Sequence, residues 1–170
     1  MHLTNALNTF RPDGPPPDAL VRAPFMQALS VKGRIMDVWL RIERPVDTEA
    51  DIPLQDEASE KVKRKYASEP SGAFIVWSDS SDGTLGCIKN NRSISAPISE
   101  VTELVLKEMQ PAKGRGFVAL SFVSNVGREL AGIYSNTCSA NAVRWLSEVQ
   151  PLIAKALKLG QRKEDLGYDT

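Results

Sequence analysis

Histidine is the side chain most often used for proton transfer at neutral pH, and this chain has one, His2, beside the initiator methionine. A Ser–His or Cys–His site needs an imidazole held rigidly against its nucleophile, so a histidine at that position argues against such chemistry. Cys87 and Cys138 stand alone, with no Cys, His or carboxylate partner at ligand spacing, which argues against structural zinc. "SDSSDG" (78–83) offers Asp79 and Asp82, but without EF-hand spacing, and two acids around a glycine are ordinary turn chemistry. "AKGRG" (112–116) has a row of backbone N–H groups that could hold a phosphate, with Lys113 and Arg115 beside it. It lacks the Walker pattern and precedes a strand rather than a helix, so it reads first as a connecting loop. Asn91-Arg92-Ser93 matches a glycosylation acceptor, which matters only in a secreted chain. These residues lead us to expect no enzyme, no cofactor, no metal and no small-molecule substrate; an enzyme working through carboxylates or backbone groups alone is the minor alternative.

The strongest charge feature is "EKVKRKYASEP" (60–70), with Lys61, Lys63, Arg64 and Lys65 within five positions. On a helix, Glu57 with Lys61 and Glu60 with Arg64 are i,i+4 pairs with the acid first, the favourable order. Acids before bases also suit the helix dipole. A solvated, salt-bridged helix face therefore explains half of the run, while Lys63 and Lys65 have no acid at that spacing. Their excess charge would suit anionic lipid headgroups, at about 1 kcal/mol per basic residue near the surface. It would equally suit an import receptor reading K-x-K-R-K.

Elements must position these residues. "NTFRPDGPPPDALVRAP" carries five of the eleven prolines, Pro15, Pro16 and Pro17 among them, so residues 1–30 read as an extended Pro-rich arm. In "RIMDVWLRI", Met36, Val38, Leu40 and Ile42 alternate with Ile35, Asp37, Trp39 and Arg41, the period of a strand. Residues 54–66 read as a short helix, and "GAFIVW", Asp82-Gly83 and "LGCI" as a hairpin over 72–88. Residues 99–109 have helical spacing at Val101, Leu104, Val105 and Met109 but several β-branched positions; a helix is expected, with a strand as the alternative. "FVALSFVS" and "ELAGIYS" form a second hairpin, apolar enough to lie centrally in a sheet. Ser139 caps a last helix with an apolar stripe from Val143 to Leu157, kinked or restarted at Pro151 and ended by Gly160. Trp39, Trp77 and Trp145 lie on apolar elements and read as core or interface anchors. The sum is α+β: a single domain over 31–160, an antiparallel sheet of about four to six strands with helices on one face, and a polar tail at 161–170.

The chain has 170 residues, 42% apolar and 25% charged, and a formal net charge of zero. That is one ordinary domain, without the basic excess that simple nucleic-acid binding requires. No apolar run approaches the roughly 20 residues needed to cross a bilayer. "MHLTNALNTF" is not a secretory signal, and two isolated cysteines suit a reducing interior. Residues 112–170 are mildly basic, balanced by a slight acidic surplus before them.

"FVALSFVSNVGRELAGIYSNTCSANAVRWLSEV" (117–149) resembles the C-terminal part of rhabdovirus matrix proteins: a hairpin whose return strand carries Gly132, Ile133 and Tyr134, a turn at Asn136, then a helix with Ala142 and Trp145. Length makes the plant-infecting members the closer comparison. "PPPDAL" departs from a PPxY budding motif in having no tyrosine. The resemblance implies a viral structural protein that self-associates and joins the inner membrane face to a nucleocapsid or other viral protein. It would work in host cytoplasm or nucleus, at the membrane periphery and in the virion. On it, the arm around Pro15, Pro16 and Pro17 would dock on a neighbouring copy, and Lys61, Lys63, Arg64, Lys65, Lys113 and Arg115 would face lipid or nucleocapsid. The same region also resembles the substrate-switch and length-control domains of type III secretion and flagellar systems, through Val143, Arg144, Pro151, Leu157 and Gly160. That resemblance implies a binding module instead.

Overall fold

The structure, a computed structural model, describes residues 21–22, 37–43, 52 and 57–170. It is α+β, with two helices and two sheets among the described residues.

The first sheet is antiparallel throughout, in sequence order: β1 (Val21–Arg22), β2 (Val38–Ile42), β3 (Phe74–Asp79), β4 (Thr84–Lys89) and β5 (Arg92–Pro97). Central β3 is buried at all six positions. Phe74 and Val76 share one face with Leu40, Ile42, Leu85, Cys87, Ile94 and Ala96; Ile75 and Trp77 share the other with Trp39 and Ile88. A strand apolar on both sides must be covered on both sides. Helix α1 (Glu60–Tyr66) covers the outer face with the fully buried Val62.

The second sheet has the order β8 (Glu129–Ser135), β7 (Phe117–Ser124), β6 (Val101–Gln110), β9 (Gly160–Tyr168), with β9 parallel to β6. Helix α2 (Ala140–Leu157) turns Ala142, Trp145, Leu146, Val149, Ile153 and Ala154 into the main core, which draws on both sheets. Trp145 meets Phe74 edge-on, with ring centroids 5.7 Å apart, and its Nε1 donates to the Glu43 carbonyl at 3.2 Å. Ser139 caps α2 by accepting from the Ala142 N–H.

Both expected hairpins are present, as are two of the three expected helices, the first of them confined to Glu60–Tyr66, and all three tryptophans are buried. Five expectations are corrected. The strands divide between two sheets, because β3 and β7 are each too apolar for a sheet with one wet face. The helices consequently lie on opposite faces of the first sheet rather than on one. Residues 99–109 give strand β6: its β-branched residues sit between β7 and β9, where ladder hydrogen bonds and packing on both faces outweigh helical spacing. The polar tail at 161–170 is mostly β9, an edge strand that needs backbone partners rather than apolar side chains. Finally, α2 runs on through Pro151, which sits at an exposed position, and ends at left-handed Lys158 (φ 55°) rather than at Gly160. Within the expected arm, Val21–Arg22 pairs with the free edge of β2, while Pro15, Pro16 and Pro17 lie outside the described residues. No helix among the described residues is long and apolar enough to cross a membrane.

Candidate anion-binding site

The expected basic residues divide into two groups on different sheets. Helix α1 starts at Ser59, whose side chain accepts from the Val62 N–H, so Glu57 precedes the helix. Its carboxylate accepts from the Ser95 N–H at 3.1 Å, and the expected pair with Lys61 does not form. Lys61 instead reaches over the outer face of the first sheet to Asp79, which is fully buried, and to Asp82 at 3.5 Å. Burial alone would push the Asp79 carboxyl up; hydrogen bonds from Lys61 and Ser81 and the Lys61 charge outweigh it and hold the carboxyl below its ordinary range.

One turn further on, Lys65 lies over the Trp39 ring, 4.6 Å from its centroid, a cation–π contact. Burial lowers its pKa, against the opposing influence of Glu69 and Asp79. Glu69 accepts from Trp39 Nε1 at 2.7 Å and from the Arg41 guanidinium, and so ties the end of α1 to β2. Trp77 Nε1 is buried on the face that α1 covers, without an acceptor among the described residues. Lys63 stands 3.5 Å from Glu60. Arg64 is exposed, and among the described residues its side chain enters no ion pair. The run is therefore largely a clamp between α1 and its sheet, with Arg64 as the cation left to solvent.

The second group lies in the loop that joins β6 to β7. Its amides are occupied: Asp169 Oδ1 accepts from the N–H groups of Ala112 at 2.5 Å and Lys113 at 3.0 Å, and Oδ2 accepts from Gly116 at 2.8 Å. Several N–H groups converging on one carboxylate form an anion nest. These backbone bonds, Ala112 first, then Gly116 and Gly114, bring the Asp169 carboxyl down to about 2.

Two glycines make the nest possible. A Cβ on Gly114 would stand 2.5 Å from Asp169 Oδ2, and one on Gly116 (φ +61°) would stand 2.2 Å from the Met109 carbonyl oxygen. The frame is fixed from both sides: the Cys138 N–H donates to the Arg115 carbonyl at 2.9 Å, and the Asp169 N–H to the Gln110 carbonyl at 3.0 Å. Lys113 and Arg115 are exposed, and neither side chain enters an ion pair among the described residues.

The amide row in "AKGRG", expected first as a connecting loop with an anion cradle as the lesser alternative, joins β6 to β7 and also holds an anion; its occupant was hidden, because Asp169 lies 53 residues beyond Gly116 and no local spacing joins them. Asp79 was equally hidden as the partner of Lys61. Among the described residues, no group of three or more His, Cys, Asp or Glu side chains is placed to hold a metal ion. No protein-family model matches the chain, and no curated protein or solved structure matches it.

Proposed function

We propose that the protein is a non-enzymatic assembly protein of the matrix type, which associates with itself and docks peripherally on an anionic membrane face that it joins to a nucleocapsid or other viral protein. The observation that carries this reading is that three of the expected basic residues stay exposed without a carboxylate partner among the described residues: Arg64 on α1, and Lys113 and Arg115 in the β6–β7 loop. Lys61 and Lys65 are committed to Asp79 and Trp39 and add little to a docking surface. The order hairpin, capped helix, buried Trp145 over residues 117–149 agrees with the resemblance that prompted the reading.

The test is flotation with phosphatidylserine vesicles, with sedimentation run in parallel at several protein concentrations and salts. At about 1 kcal/mol per cation, changing Arg64, Lys113 and Arg115 together to Gln is expected to cost about 3 kcal/mol at low salt, on the order of 100-fold in partitioning. Wild-type binding should weaken steeply with salt. A chain that ignores the vesicles at low salt and stays monomeric at every concentration would overturn the reading.

A further inference from the structure

We propose that the β6–β7 loop is a binding site for a phosphate-class dianion, and that Asp169 occupies it as a built-in stand-in which such an anion must displace. Asp169 demonstrates the geometry: its carboxylate oxygens take N–H donors from Ala112, Lys113 and Gly116 at 2.5–3.0 Å. Gly114 keeps the floor open, since a Cβ there would overlap the anion. The charge is not matched by the present occupant. Lys113 and Arg115 bring two positive charges to the loop, neither ion-paired among the described residues, against one negative charge on Asp169. A phosphate monoester carries close to two negative charges at pH 7 and one more oxygen than a carboxylate, so it takes the same amides and leaves an oxygen for the cations. Asp169 is partly exposed and stands outside the core, so exchange needs no opening of the core.

This inference deepens the membrane reading and rests on it only in sharing Lys113 and Arg115; the phosphate could come from a lipid headgroup or from a free phosphate compound. The probe is inorganic phosphate, titrated into the full chain and its Asp169→Ala and Asp169→Asn variants while backbone amide resonances are followed. Asp169→Ala is expected to bind phosphate at least tenfold more tightly than wild type, with the largest shifts at Ala112, Lys113, Gly114 and Gly116. Adding Lys113→Gln and Arg115→Gln should weaken that binding at least tenfold. Asp169→Asn keeps an acceptor in the nest and holds the loop if the alanine variant loosens it; it should fall between the two. If the amides of 112–116 stay unmoved by phosphate in both variants, the proposal is overturned. Vesicles of phosphatidic acid and of phosphatidylserine, matched in charge, separate the sources. Preferential gain on phosphatidic acid by Asp169→Ala supports a headgroup; phosphate binding without that preference supports a free compound. Phosphate binding by a chain that ignores all vesicles would remove the membrane reading and leave this site standing.

Discussion

Lys61 decides how the basic run should be judged. Its partner Asp79 is fully buried, so removing the ammonium leaves a carboxylate out of water with only Ser81 and the Asp82 N–H to hold it. Breaking a buried pair from one side costs about 3–5 kcal/mol; with Lys61 partly solvated, Lys61→Gln is expected to cost about 2–3 kcal/mol in urea unfolding at pH 7. Lys61→Met with Asp79→Asn should recover part of that loss, as expected of a coupled pair. The pH dependence has a definite sign. A carboxyl held below its unfolded value contributes stability that is complete above about pH 4 and is lost as pH falls through the folded value. In Lys61→Gln the main opposition to burial is gone, so the acid loss should begin at higher pH. A variant with an unchanged midpoint and acid limb would make Lys61 a surface charge after all. The sequence carried the bases and nearby glutamates but not the start of α1 at Ser59, which removes Glu57 from the helix and sends Lys61 across to a strand.

At the scale of elements, the readable segments were those whose pattern follows from their own neighbours in sequence: the turn at Asp82-Gly83, the hairpin over 117–135 and the Ser139 cap. β6 and β9 were not, because each is a strand by virtue of its partners. Gln150 illustrates this from α2, donating to the carbonyls of Leu104 and Arg162 at 2.9 and 2.8 Å and so bracing both strands. One close approach in the first sheet is set by the neighbouring strands. A Cβ on Gly86 would stand 2.0 Å from the Ile94 carbonyl oxygen and 2.6 Å from the Trp77 ring, so neither the β4–β5 ladder nor the indole can keep its place. Gly86→Ala is expected to cost about 2–3 kcal/mol and to alter the near-ultraviolet dichroism of Trp77. Gly72→Ala is the control: it meets nothing within 4 Å, and its φ of +80° should cost only about 1 kcal/mol. Equal losses for the two would mean that close packing at Gly86 is not what requires glycine there.

For the whole molecule, the apolar pattern established that strands and helices share one chain, but not that two sheets and α2 share one core. That arrangement leaves β9 covering the edge of β6, and its charges guard the outside: Arg162 meets Glu103 at 3.0 Å and Lys163 meets Glu108 at 2.7 Å. Removing residues 160–170 would uncover a long strand whose sequence, VTELVLKEMQ, is far more apolar than the strand lost. It would also take the Arg162 carbonyl from Gln150 and empty the loop that Asp169 fills. An exposed apolar edge recruits another edge. The shortened chain is therefore expected to lose at least about 2 kcal/mol of stability in urea and to associate in proportion to concentration in sedimentation velocity. Asp169→Ala in the full chain keeps β9 and should sediment as wild type does, so the two variants separate loss of the strand from loss of the anion contact. A shortened chain with wild-type sedimentation and an unchanged urea midpoint would show that β6 needs no cover. The same reasoning constrains the test of self-association: it belongs on the full chain, since association through a bared β6 would imitate assembly without sharing its surface.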